Sequence, residues 1–292
     1  MNLQQILGGK KNNLVDPRVA RIRMYLNNLA VFFIVAMIWL ALSIATDTFG
    51  TVNNITNVLR QSSLWSIIAI GQTVVLITAG IDLSIGSVVG LTSCIVALML
   101  NKGYPISVSV IFTMMCGLGV GAIHALGITK GRLPPFIMTL AGLTGWFGVA
   151  LLITGAMPIG NLPADFKAFS RGDFIGIPNL FWCVIGVMVP TYIILNHTPL
   201  GNHLYAIGSN MPGSQLNAVP VTRTIFFAYM FSGLCASIVG ILVAARLSLG
   251  IASNGFTWEL KAVASSVFIL LNASSGHLLI TSMFENLFLD AK

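Results

Sequence analysis

Eight apolar stretches, at 26–45, 61–79, 84–100, 106–128, 136–155, 174–196, 224–247 and 262–284, are separated by polar turns. Each is close to the roughly 20 residues a helix needs to cross a bilayer. Strand-type alternation of period two is absent, which excludes a β-barrel. The pattern predicts an all-α, polytopic transmembrane helical bundle of about eight spans, with a short N-terminal arm at 1–25.

Composition agrees with this reading: 56% of the residues are hydrophobic and 8% charged, against roughly 25% charged in soluble domains. The net charge of +7 could suggest a nucleic-acid partner. Lys10, Lys11, Arg18, Arg21 and Arg23, however, all precede the first span. Basic residues placed there are a topology signal, so the N-terminus is expected in the cytoplasm and nucleic acid is excluded. Lys130, Arg132 and Arg223 then fall inside. Asp47, Asp165, Asp173 and Glu259 fall outside, together with Lys102, Lys167 and Arg171. The first apolar block exceeds the length of a secretory h-region and is followed by further spans, so it reads as a retained helix. Cys94, Cys116, Cys183 and Cys235 lie within spans without Cys-x-x-Cys spacing and read as buried apolar side chains.

Little polar sequence remains outside the spans: the arm, an outer loop near 156–173 and an inner loop near 197–223. No soluble catalytic domain fits there. Phosphate loops, metal-spaced His/Cys clusters and nucleophile elbows are missing, and His124, His197, His203 and His277 are scattered. No catalytic residue, metal site or cofactor is expected, and no span carries the central charges common in proton-coupled carriers. Small residues recur at helix-packing spacing, Gly117, Gly121 and Ala125 in one span and Ala236, Gly240 and Ala244 in another. They suit close backbone contact within one bundle or at a subunit interface.

Three segments interrupt the apolar pattern. In Ile77–Leu91, Gly80 breaks a span, and Asp82 and Ser84 are placed to cap the next one. The break either caps a helix at the membrane edge or shapes a path through the bundle, with Gly80, Asp82, Ser84 and Gly86 as candidate path or gate residues. In Lys130–Leu140, Pro134 and Pro135 set the angle of the fifth span, with Phe136 and Thr139 as candidate pore-facing residues. His124 nearby is either a hydrogen-bonded packing residue or a ligand contact. In His197–Asn210, Thr198 as N-cap, Pro199 at the first helical position and Gly208 as terminator predict a helix of about two turns, with Leu200, Leu204 and Ile207 on one face. So short an amphipathic helix needs a surface to lie on. Asn210 is placed to cap a second helix reaching Leu216.

Taken together, Thr78-Ala-Gly-Ile-Asp-Leu-Ser-Ile-Gly-Ser87, Leu133-Pro-Pro-Phe-Ile-Met-Thr-Leu140 and Leu204-Tyr-Ala-Ile-Gly-Ser-Asn210, followed by Ser232-Gly233 and Ala244-Ala245-Arg246, resemble the permease subunits of bacterial ATP-binding-cassette importers for ribose, galactose, xylose and related sugars. The resemblance covers about 26–264. It implies an inner-membrane permease domain that pairs with a second permease subunit as a homo- or heterodimer, binds a cytoplasmic ATPase and receives its sugar from a periplasmic binding protein. No bond-making chemistry is assigned to the chain itself. Gly201, Ala206, Ile207, Gly208 and Asn210, within the inner loop 197–223, would couple it to the ATPase.

Two departures stand out. Where the family usually continues Asn-Pro-Glu-Ala-Ala, this chain reads Asn210-Met-Pro-Gly-Ser-Gln-Leu-Asn-Ala-Val219, which predicts a weaker second docking helix. The Glu259-Leu260 motif is present, but 265–292 reads as a divergent or truncated final span and tail. The alternatives are a non-transporting partner subunit of such a complex, or a secondary carrier or channel. Relatives of this kind also move nucleosides, signalling furanones or branched-chain amino acids.

Overall fold

The computed structural model describes Phe33 and residues 36–274. The chain divides into two units, Met1–Ile55 and Thr56–Lys292. In the first, helix α1 (Ala36–Ala45) is short and apolar, and Trp39 meets Phe49 with ring centroids 6.3 Å apart.

The second unit is helical almost throughout. Its elements are α2 (Val52–Ile77), whose first turn falls at the boundary, α3 (Ile85–Asn101), α4 (Ile106–Thr129), α5 (Pro135–Thr154), α6 (Ala164–Arg171), the strands β1 (Asp173–Phe174) and β2 (Ile177–Pro178), α7 (Asn179–His197), α8 (Pro199–Ser209), α9 (Met211–Leu216), α10 (Val221–Leu247) and α11 (Trp258–Ser274). Among the described residues α4, α5, α7 and α10 are long and apolar enough to cross a membrane. In the apolar stretch of α10 67% is buried, against 11% in α5 and 17% in α7. The interior is therefore built around α10, while α5 and α7 turn most of their apolar surface outward. The chain is an all-α membrane bundle.

Glycine spacing sets how closely α10 is approached. A Cβ on Gly233 would strike the Gly117 carbonyl, one on Gly121 the Tyr229 carbonyl, and one on Gly240 the Thr92 hydroxyl. The small-residue stripes of α4 and α10 thus meet neighbouring helices of the same chain, the close backbone approach by which helices associate in lipid. Val88, Val89 and Cys94 of α3 and Cys235, Ala236 and Val239 of α10 fill one buried cluster.

Several expected boundaries move. α2 begins at Val52 rather than 61, because Asn53, Asn54 and Asn57 continue the helix despite their polarity. The span expected from 174 starts at Asn179, after a hairpin whose turn residues Ile175 and Gly176 have φ of 55° and 74°, the geometry of a tight antiparallel turn. After α10 the chain pairs with residue 159 through an Ile159–Gly250 bridge and turns back along α3, where Ala252 and Gly255 meet Gly90 and Gly86. Helix α11 therefore starts deep in the bundle, and Glu259, expected in an outer loop, lies beside Gly86. Gly86 is 15 residues from the end of α3, about 22 Å along the helix. The rest of the expected span 262–284 lies outside the described residues, as does most of 26–35.

Candidate functional site

Helix α2 ends where Ala79 takes a left-handed φ of 58° and the Gly80 N–H turns back to the Val75 carbonyl at 3.2 Å. This is the usual conformation for stopping a helix, here adopted by a residue with a side chain. Gly80 is required for space, since a Cβ there would lie 2.6 Å from the Tyr229 hydroxyl.

The extended residues that follow have their polar groups met from several helices. The Ile81 carbonyl accepts from the Thr139 hydroxyl of α5 at 3.1 Å and from the Tyr229 hydroxyl of α10 at 3.5 Å. On α2, the Gln72 carboxamide, oriented to satisfy both contacts, donates to the Asp82 carbonyl at 3.1 Å and accepts from its N–H at 3.2 Å. Irregular backbone inside a membrane bundle survives only where protein supplies such partners.

Asp82 is 3% exposed. Oδ1 accepts from the Ser84 N–H at 3.0 Å and from the Ser84 hydroxyl at 2.6 Å, and Oδ2 accepts from the Ser232 hydroxyl at 2.7 Å. Ser84 occupies the N-cap of α3 but makes no side-chain capping bond. The expected cap is thus corrected: its hydroxyl is directed to Asp82, whose carboxylate joins the start of α3 to α10. Ser232 is 11 residues into α10, about 16 Å along it, so the carboxylate sits inside the bundle rather than at its rim.

His124 is the hydrogen-bonded packing histidine. Its Nε2 accepts from the Trp146 indole N–H at 2.9 Å, and its Nδ1 lies 3.4 Å from the Ser84 hydroxyl. An indole can only donate, so in the neutral ring the proton is assigned to Nδ1. A polar chain therefore runs from Trp146 on α5 through His124 on α4 and Ser84 to Asp82 and then Ser232 on α10.

The remaining candidates are distributed around this node. Pro134 and Pro135 open α5, Thr139 is buried on the break and Phe136 is exposed. Gly86, in the first turn of α3, is covered by the Gly255 carbonyl and by Glu259 Oε2, which would lie 2.6 Å from an added Cβ. Sequence reasoning missed Gln72, Ser232 and Trp146 as partners. An amide in the middle of an apolar span was the signal for Gln72; Ser232 carried none beyond its place in the resemblance, and Trp146 carried none.

The segment 197–223 folds onto the same region. Thr198 Oγ1 accepts from the Gly201 N–H at 3.4 Å and Pro199 opens α8. The helix does not stop at Gly208 but continues to Ser209. Gly208 instead lets α8 touch the end of α2: a Cβ there would strike the Ile77 carbonyl, with Ala79 N 3.6 Å away. Leu204 and Ile207 are buried with Val74, Val75, Ile77, Ile225 and Tyr229, so the surface α8 lies on is the bundle itself. Gly201 is packed on the carbonyls of Ile194 and Leu195, and Ala206 is half-buried. Asn210 is exposed and caps α9, accepting from the Gly213 N–H at 3.0 Å. Tyr205, Met211 and Leu216 are exposed on this loop.

Comparison with known proteins decides the class. Residues 54–284 match the family described as the permease component of the branched-chain amino acid transport system. The chain belongs to this family of permease components. It is 35% identical over 240 residues to the ribose import permease protein RbsC of Haemophilus influenzae, covering 80% of this chain and 74% of the relative. With RbsC of Bacillus subtilis it shares 34% over 250 residues, 85% and 76% of the two chains. With the autoinducer 2 import system permease protein LsrC of Klebsiella pneumoniae it shares 31% over 253 residues, 86% and 74%. No solved structure matches the chain. The protein is thus a multi-pass inner-membrane permease subunit of an ATP-binding-cassette importer, a class that works with ATPase and periplasmic binding-protein partners.

Proposed function

We propose that this permease forms, with a second permease subunit, the translocation path for a pentose or hexose delivered by a periplasmic binding protein, and that α8 and α9 receive the motion of a cytoplasmic ATPase. The sugar reading draws on the ribose permeases the chain resembles. The N-terminus and the α8–α9 loop are assigned to the cytoplasm, and the chain carries out no ATP hydrolysis of its own.

The coupling reading is carried by one contact, that of Gly208 with the Ile77 carbonyl. It puts α8 directly on the last turn of α2, five residues before Asp82. A tilt of α8 is then passed to the break, and the Asp82 node passes it on to α3 and α10, elements that rock between two discrete arrangements. Gly201 and Ile207 hold α8 to the bundle, while Asn210, Tyr205, Met211 and Leu216 offer the surface for the ATPase. Gly80, Asp82, Ser84, Gly86, Pro134, Pro135, Phe136 and Thr139 surround the moving break and serve as path or gate residues.

The test is uptake by the reconstituted complex of permease, ATPase and binding protein with Gly208→Val. Lifting α8 off α2 is expected to lower sugar uptake by roughly tenfold or more while ATP hydrolysis continues. Wild-type uptake by the variant, or transport by the permease in vesicles lacking the ATPase, would overturn the proposal.

A further inference from the structure

Glu259 is a second carboxylate at depth, and the Asp82 network does not include it. The chain reaches it by leaving α10, returning along α3 and starting α11 at Trp258. Gly255 and Thr257 take φ of 88° and 68° to make that bend. Among the described residues no hydrogen-bond donor or cation meets the Glu259 carboxylate, in contrast to the three donors on Asp82. It rests against the bare backbone of Gly86, partly buried. An ionisable side chain kept unpaired at such a depth is costly and points to a functional partner.

Aromatic rings flank it in the chain. Phe256 is 61% exposed and lies 6.0 Å from Phe147 of α5, and Trp258 lies 4.3 Å from Trp65 of α2. Lys261, two residues on, holds its ammonium 4.7 Å above the Trp65 ring, so this cation is directed to Trp65. A carboxylate with free acceptor oxygens, three residues after the exposed ring of Phe256, has a definite chemistry. The oxygens accept from hydroxyl groups, in bonds strengthened by their charge, and the ring covers apolar C–H surface. The same charge repels an anion or the carboxylate of an amino acid.

We propose that Glu259, with the exposed Phe256 ring packed on Phe147, forms a subsite of the path that accepts a neutral polyhydroxylated solute and rejects anionic ones. The subsite rests on the sugar reading above and deepens it: selection for hydroxyl-rich neutral solutes takes place within the permease as well as in the binding protein.

The experiment measures uptake of a transported pentose and its single-deoxy derivatives by the full complex, with wild-type permease, Glu259→Ala and Glu259→Gln. The binding protein's own preference is common to all three and cancels when each variant's deoxy-to-parent ratio is divided by the wild-type ratio. In the wild type, loss of the contacted hydroxyl should raise KM roughly tenfold beyond the binding protein's own discrimination, the usual loss for a bond to a charged acceptor. In Glu259→Ala that ratio should fall roughly tenfold, to what the binding protein alone imposes, and Glu259→Gln, which keeps a neutral acceptor, should fall between. If Glu259→Ala fails to assemble with its partners, the isosteric Glu259→Gln decides the matter alone. Unchanged ratios and KM in the variants, with sugar uptake intact, would overturn the subsite and leave the sugar reading standing. A wild-type complex that imports no pentose or hexose would overturn the sugar reading itself, and the subsite with it.

Discussion

Asp82 is buried with no cation in contact among the described residues, so its three donors must supply what water no longer does. Replacing Ser232 by alanine removes the donor that Oδ2 has, at 2.7 Å, from a site where Ser232 is fully buried. A hydrogen bond to a charged group contributes about 1.5–3 kcal/mol, and a buried acceptor left short loses it without compensation. Ser232→Ala should therefore cost about 2 kcal/mol, which for a chain of this size lowers the apparent melting temperature by roughly 4–8 °C. Asp82→Asn keeps the shape. Its oxygen still accepts from both Ser84 groups, its amide donates to a Ser232 hydroxyl that reverses its role, and the cost of burying a charge disappears. The structure thus predicts a change within about 1 kcal/mol for Asp82→Asn. The variant that removes the charge should be milder than the variant that removes a neutral hydroxyl. Thermal unfolding of the purified permease in detergent, followed by intrinsic fluorescence, measures both. A melting temperature for Ser232→Ala equal to wild type, or an Asp82→Asn at least as damaging, would refute the donor count on which the reasoning depends.

Other outcomes follow from the same geometry. Trp146→Phe removes the indole donor to His124 and should destabilise by about 1 kcal/mol, read in the same melting assay; no change would mean that the His124 contact is idle. Asn210→Ala deletes the cap of α9 and should cost about 1 kcal/mol, seen as faster amide exchange confined to 211–216 with global melting preserved. Arg60→Met breaks the ion pair with Asp173, a 2.9 Å contact between side chains 20% and 41% exposed. Solvent screening limits that loss to less than about 1 kcal/mol, shrinking further at high salt, and a larger drop in melting temperature would show that the pair is worth more than its exposure allows.

Much of the bundle was legible because run length carries it. The helices α3, α4, α5 and α10 fall within a few residues of the apolar stretches, since apolar length is what a bilayer demands. Local chemistry was legible where a residue acts on its own turn: Thr198, Pro199 and Asn210 cap or open the helices their side chains suggest. What sequence could not show is contact between distant segments. Gly208 looked like a stop signal because glycine after a periodic run usually is one. Only the fold reveals that its missing side chain makes room for the end of α2. Ser84 suits an N-cap by type, but Asp82 two residues earlier is the stronger acceptor and captures its hydroxyl.

The return of the chain after α10 shows the limit most clearly. Ser248 to Thr257 has the length and polarity of an ordinary outer turn, and an outer turn would leave Glu259 in water, where a carboxylate needs no explanation. Four glycines change its position. Gly250 and Gly255 on the returning strand face α3, which presents Gly86 and Gly90, and an added Cβ at any of them would meet backbone or side chain of the other segment within 3.0 Å. Paired in this way, they let irregular backbone descend along a helix at a depth where side chains of ordinary size would have kept it out. The spacing of those glycines, not the hydrophobicity of the spans, is what brings Glu259 to the level of the helix break and turns a loop residue into a candidate for contact with the transported solute.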